Sequence, residues 1–119
     1  MMDAVWEALQ GLRVPIQQGE YDLHHLVAEA LTAHGIASVH EAPLGPRCRI
    51  DLLCGTVGIE IKRGKPNRTQ LLRQLTRYAE CEAVSCLIVV AERSVDLPRT
   101  LRGKPVRVLC LNRLWGIAL

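Results

Sequence analysis

The 119-residue sequence predicts an α/β domain in which a mixed sheet is flanked by helices, and three observations carry that expectation. The stretch RIDLLCGTVGIEIKRG (49–64) reads as a β-hairpin, because two β-branched apolar runs flank a two-residue loop at Gly55 and Thr56. Residues 20–34 and 67–80 place their apolar side chains at helical spacing. VSCLIVVA (84–91) is an unbroken apolar run of strand length, the pattern of a central strand covered on both faces.

Taken in order, residues 3–13 suit a short helix, followed by a loop through Val14, Pro15 and Gly19. In 20–34 the stripe is Leu23, Leu26, Val27, Ala30 and Leu31, and Gly35 supplies the stop. Residues 36–42 read as a strand and EAPLGP as a loop; 47–54 and 57–63 are the hairpin, and GKPN punctuates the chain. Asn67 is a good N-cap, with Gln70 completing a capping box, and the helix it opens runs to Glu80 with Leu71, Leu72, Leu75, Tyr78 and Ala79 as its apolar row. After the 84–91 strand, SVDLPRTLRGKP is a polar connection with room for one helical turn. VRVLCL (106–111) is a last strand, and NRLWGIAL is an apolar tail. The length fits a single domain over 1–119.

Composition is that of a globular chain, 49% hydrophobic and 23% charged. The N-terminal MMDAVWEALQGLR carries early acids and no apolar segment long enough for a signal or a membrane span, so a cytoplasmic location and no membrane partner are expected. Five cysteines, Cys48, Cys54, Cys81, Cys86 and Cys110, show no CxxC pair and read as buried reduced thiols, with Cys81 falling at a helix end. Residues 47–77 hold eight bases (Arg47, Arg49, Lys62, Arg63, Lys65, Arg68, Arg73, Arg77) against two acids, a local balance of +6 in a chain of +3. That asymmetry suits a surface facing a polyanion, and equally a solvated face. Four aromatics and no Phe argue against a platform on which bases stack.

The hairpin carries the chemistry. With Gly55 and Thr56 as the loop, Leu52 faces Ile59 and Asp51 faces Glu60, which makes two carboxylates direct cross-strand neighbours, and Lys62 sits opposite Arg49. Like charges so placed destabilise a sheet, more so when buried. Strand alternation puts Glu60 and Lys62 on one face, with Ile59 and Ile61 on the other. Two readings reconcile the acids: a partly exposed ionic cluster with Lys62, or a pair holding a hard dication such as Mg²⁺, which takes one or two carboxylates and keeps several waters. A bound dication lowers the pKa of a water and stabilises charge on a phosphoryl oxygen, and Lys62 suits the positioning of that water.

At about 100° per residue, Glu20 falls toward the sheet side of its helix, either as a third acid of the site or as a first-turn acid complementing the helix dipole. His24 lies near the same edge and reads as structural or solvated, whereas His25 and Glu29 point away. On the later helix Gln70, Gln74 and Tyr78 form one i, i+4 row, and Arg73 and Arg77 a parallel one that reaches successive phosphates or simply faces water.

Asp51, eight intervening residues, then Glu60-Ile61-Lys62 resembles the D-x(n)-E-x-K signature of the PD-(D/E)XK nuclease superfamily, and Gln74-Leu-Thr-Arg-Tyr78 resembles the QxxxY motif of its RecB-like and lambda-exonuclease-like branch. The resemblance covers residues 20–91 and extends to the order of elements. Ile50 stands where such families often carry Pro, and the cysteine quartet of the iron–sulfur members is missing. The resemblance implies a restriction-endonuclease-like α-β-β-β-α-β core and a catalytic group of Asp51, Glu60, Lys62, Glu20 and Gln74. Asp51 and Glu60, with Glu20, are implied to hold Mg²⁺ (or Mn²⁺ in its place). Arg49, Arg63, Lys65, Arg68, Arg73, Arg77 and Tyr78 are implied to contact DNA. The function so implied is a metal-dependent deoxyribonuclease. It is structure- or end-selective, because no insertion is large enough to read base edges, and it works as a homodimer or higher homo-oligomer with the tail LWGIAL as interface or core packing. The alternative is a catalytically silent nucleic-acid-binding or interaction module on the same fold.

Overall fold

Helix α2 (Leu23–Ala33) begins where a side chain can cap it: the Asp22 carboxylate accepts the His25 amide at 3.1 Å, so the helix opens later than the periodicity alone suggests. Leu23, Val27 and Leu31, one row along it, are buried, and burial of such side chains contributes roughly 1.5–3 kcal/mol each. Gly35 follows with φ +71°, the left-handed stop that glycine adopts freely. In helix α3 (Arg68–Ala79) the Asn67 side chain accepts the Gln70 amide at 3.0 Å, and Leu71, Leu75, Tyr78 and Ala79 are buried. A shorter helix, α1 (Met2–Leu9), buries Val5, Ala8 and Leu9. The computed structural model describes residues 1–12 and 22–114. Glu20, Tyr21 and residues 115–119 of the apolar tail therefore lie outside the described residues; the last described element is the helical turn α4 (Leu111–Leu114).

Six strands, β1 (Val39–Gly45), β2 (Cys48–Cys54), β3 (Val57–Lys62), β4 (Cys86–Ala91), β5 (Thr100–Leu101) and β6 (Lys104–Cys110), form one mixed sheet in the order β1-β2-β3-β4-β6-β5. The β1–β2–β3 meander is antiparallel, β4 joins β3 in parallel after the α3 crossover, and β6 lies parallel to β4. Every residue of β4 is buried, as its unbroken apolar sequence requires. The α/β class and the mixed sheet flanked by helices stand as the sequence predicts.

Two connections differ from expectation. EAPLGP belongs largely to β1 rather than to a loop: β1 is an edge strand, where Pro43 can lack an amide without breaking a ladder on its open side. The polar connection makes no helical turn at Thr100–Leu101; it forms a hairpin with Lys104–Pro105 around Arg102 and Gly103, at φ +52° and +75°, the positive pair that a two-residue turn between twisted strands needs.

Two cores lie on opposite faces of the sheet. One gathers α1 and α2 with Leu52, Cys54, Ile59, Ile61 and Ile88; the other gathers α3 with Ile50, Leu87 and Val89. Gly58 belongs to the α3 face, where a Cβ would stand 2.6 Å from Ile50 Cδ1 and 3.0 Å from Leu87 Cδ2. Among the described residues no helix is long and apolar enough to cross a membrane. Because Ile50 and Leu87 are fully buried and have nowhere to retreat, Gly58→Val is expected to destabilise the fold by about 1–3 kcal/mol through overpacking, read as a lower midpoint in urea unfolding.

Candidate active site

The hairpin register holds only part of the way. Cys54 faces Val57, Leu53 faces Gly58 and Leu52 faces Ile59, as the Gly55-Thr56 loop dictates, and there the pairing of β2 with β3 stops. Asp51 is therefore not the ladder partner of Glu60, nor is Arg49 that of Lys62; Arg49 pairs with Pro43 of β1 instead. The Asp51 carboxylate turns across the gap, and its Oδ2 accepts the Ile61 amide at 2.8 Å. A main-chain donor beyond the last paired residue is thus satisfied by a side chain, as a buried amide demands.

Local backbone shape explains the parting. Ile50 and Leu52, two positions apart, would share a face in a regular strand, yet they pack into opposite cores, so β2 changes the face it presents at Asp51. The neighbouring strand is distorted at the same level: Glu41, between the pairs Ala42–Ile50 and His40–Leu52, has φ +50°.

Glu60 keeps the place that strand alternation predicts, on the α3 face, and is only 3% exposed. Its Oε1 accepts the Tyr78 hydroxyl at 3.2 Å, and its Oε2 lies 3.2 Å from Lys62 Nζ. Burial, and next the charge of Asp51, push the Glu60 carboxyl above the usual range, with Lys62 and Tyr78 pulling the other way. The one Tyr78 hydroxyl proton is shared with the Arg49 carbonyl, the nearer acceptor at 2.8 Å, and burial followed by the neighbouring Glu60 raises its own pKa. Tyr78 thus clamps α3 to both β2 and β3.

The signature residues Asp51, Glu60 and Lys62 come together with Tyr78, and Gln74 lies one turn along α3. Gln74 borders a groove of about 580 Å³ with Lys62, Gln70, Arg73 and Arg77. The proposed phosphate contacts divide. Arg73 and Arg77 line that groove, Arg77 also donating from Nη2 to the Arg47 carbonyl at 3.3 Å, and Lys65 is exposed, whereas Arg63 Nε approaches Glu92 at 3.7 Å and Arg68 Nε donates to the Asp96 carbonyl at 2.6 Å. Arg49 is exposed on β2.

His24, which the sequence reads as structural or solvated, stands half-exposed with its Nε2 3.6 Å from Asp51 Oδ2. Its place near the sheet-facing edge of α2 was the signal. Glu92 is a second addition. Just beyond β4, it accepts the Gly64 amide, and its own amide donates to the Lys62 carbonyl at 3.1 Å, so it grips the segment carrying Lys62. An acid directly after a central strand was the only sequence signal.

Two carboxylates, Asp51 and Glu60, are what the described residues offer a cation; among them no group of three or more His, Cys, Asp or Glu side chains converges to hold a metal. The donor set, hard oxygens without thiolate, fits Mg²⁺, which needs few protein ligands. Asp51 Oδ1 takes no hydrogen bond from the described residues and remains for such a role.

The raised Glu60 value sets a pH dependence. Below the ordinary carboxylate value Glu60 is protonated whether folded or not; as pH rises through the folded-state value, ionisation inside the fold costs stability that the unfolded chain does not lose. Without divalent cations, Glu60→Gln is expected to gain stability over wild type as pH rises toward neutral, and to lose that advantage near pH 4, measured by urea unfolding at each pH.

No protein-family model matches this chain, and neither curated proteins nor solved structures yield a match.

Proposed function

We propose that the chain is a Mg²⁺-dependent deoxyribonuclease of the PD-(D/E)XK kind, with the α2-β1-β2-β3-α3-β4 run as its restriction-endonuclease-like core. The observation that carries this reading is the meeting of Asp51, Glu60 and Lys62 where β2 and β3 part, beneath the Gln74–Tyr78 row of α3. An ionic cluster built only for stability has little reason to bury a carboxylate beside a second one and leave its pKa raised.

In this reading a bound Mg²⁺ would activate a water and offset charge on the phosphate. Asp51 and Glu60 are the residues that would hold it. Lys62, 31% exposed at the end of β3, orients the attacking water and neutralises charge that builds on the non-bridging oxygens. The water oxygen bonds to phosphorus, the ester P–O bond on the far side breaks, and the leaving oxygen takes a proton from solvent. Arg73 and Arg77, with Lys65, hold the DNA backbone, contacts that position without reading sequence. The activity is structure- or end-selective, and a homo-oligomer supplies the enclosure that one short chain lacks.

Supercoiled plasmid and branched duplex are the test substrates, with Mg²⁺ and with EDTA. Wild type is expected to cleave only with the cation, Asp51→Asn to lose activity by roughly a hundredfold or more, and Lys62→Ala by about 10²–10⁴-fold. Cleavage that survives Asp51→Asn rejects the site. Binding without cation-dependent cleavage favours the silent module, a reading to which the closed Lys62–Glu60–Tyr78 arrangement lends itself.

A further inference from the structure

The segment that leads from Lys62 to α3 is held from the neighbouring strand, by an acid outside the proposed chemistry. Glu92 stands one residue beyond β4, where pairing with β3 has ended at Lys62–Ala91 and pairing with β6 at Ala91–Cys110. Its main chain is nevertheless tied on both sides: its amide donates to the Lys62 carbonyl at 3.1 Å, and its carbonyl accepts the Asn112 amide at 3.1 Å. Cys110 adds a weaker tie, with its Sγ 3.7 Å from the same carbonyl. Like Cys48 and Cys81 it is half-buried, whereas the sequence reads all the cysteines as buried.

A backbone so fixed aims the side chain. The Glu92 carboxylate, 18% exposed, spans the turn after β3: Oε1 accepts the Gly64 amide and Oε2 lies 3.7 Å from Arg63 Nε. An ionised carboxylate accepts from two donors at once, and its bond to a main-chain amide is stronger than a neutral one. The Arg63 contact is long and its guanidinium half-exposed, so it adds little. Gly64, at φ +68°, is where the chain leaves the strand, so the bond to its amide fixes a turn that no ladder holds. Further along, Arg68 Nε donates to the Asp96 carbonyl at 2.6 Å, and the segment after β4 thus grips the 63–68 connection at both ends. Lys62, Pro66 and Asn67, on or beside that connection, border the groove of about 580 Å³.

We propose that Glu92 is a positioning residue for Lys62: by holding the Gly64 amide it sets where the Lys62 ammonium stands in the site, and with it the rate of the cleavage step. This role rests on the nuclease reading. Lys62 is the last residue of β3 and carries its charge on a flexible stem, so the direction of that stem follows the main chain on either side. Its Nζ lies 3.2 Å from Glu60 Oε2, and a displacement of about 1 Å at a reacting group costs on the order of 10²-fold in rate. Glu92 acts through the main chain, not on the reacting atoms.

Variants that separate reach from charge test this, each shown to be folded by far-UV circular dichroism and its urea midpoint. On supercoiled plasmid with Mg²⁺, Glu92→Ala is expected to lower kcat by about 10–100-fold and to leave KM within about twofold. Glu92→Gln keeps an acceptor at the same reach and is expected to stay within about threefold of wild type, whereas Glu92→Asp keeps the charge, falls short of Gly64 and loses as much as Glu92→Ala. Should Glu92→Ala not fold, the Gln and Asp variants decide. Added to Lys62→Ala, Glu92→Ala is expected to cost nothing further, because the two act as one unit. Glu80→Ala, which removes an exposed pair with Arg102, is expected to leave both constants unchanged. By NMR the Gly64 amide is expected to exchange slowly in wild type and Glu92→Gln and fast in Glu92→Ala, where the Lys62 side-chain resonances also shift. Wild type that cleaves no faster than Glu92→Ala, a loss confined to KM, an Asp variant more active than the Gln variant, or losses that multiply in the double variant overturns the proposal. Wild type that does not cleave with Mg²⁺ overturns the nuclease reading and, with it, the rate assigned to Glu92; a Gly64 amide that exchanges rapidly in wild type overturns the hold on Lys62 whether or not cleavage occurs.

Discussion

The Asp51 carboxylate occupying the Ile61 amide is the contact on which the rest of this structure turns. Had β2 and β3 stayed paired to their ends, two carboxylates would oppose each other at a cross-strand site. Instead the ladder ends at Leu52 and Ile59, and the strand beyond is held by a side chain. The same place is where β2 changes the core it serves, from Leu52 on the α1–α2 side to Ile50 on the α3 side. A single polar residue thus replaces a run of sheet and opens an edge between layers that are otherwise closed by apolar packing.

Electrostatics at that edge remain unbalanced. Glu60 has two donors, Lys62 and Tyr78, and Asp51 has one amide with His24 nearby, yet burial and mutual repulsion still hold the Glu60 carboxyl above its ordinary range. A dication answers both causes, since it offsets the like charges and supplies what burial removed from water. The unbalanced charge at that edge supports the metal-dependent reading more than the count of basic residues does. Arg63 and Arg68, which the local charge made attractive as phosphate contacts, are engaged with Glu92 and with the Asp96 carbonyl. Arg73 and Arg77 border the groove that Lys62 and Gln74 share.

Tyr78 links the two ends of the site. One hydroxyl spans the Arg49 carbonyl and the Glu60 carboxylate, so the position of α3 over the sheet and the orientation of the buried acid are set together. Cys48, at the start of β2, is half-buried at the same seam, with Arg77 bonded to the Arg47 carbonyl beside it and Cys81 Sγ donating to the Arg77 carbonyl. Helix placement and acid orientation therefore share one short interface between α3 and the start of β2.

Local chemistry was enough to read α2, α3, the three-strand meander, β4 and β6 and their order, but not β5. The Gly55-Thr56 loop set the register as far as Leu52 and Ile59, Asn67 opened its helix, and the unbroken apolar run at 84–91 was a central strand, because each depends on neighbours a few residues away. The edge role of β1 and the turn at Arg102-Gly103 escaped, since a proline or a charged residue at positive φ is acceptable only where the sheet leaves room for it. The composition of the site was legible in Asp51, Glu60, Lys62 and Tyr78; its geometry was not. Where β2 leaves β3, which carboxylate is buried and which arginines are consumed by internal partners were decided by the packing of α3 against the sheet, an arrangement of segments distant in sequence that no local pattern encodes.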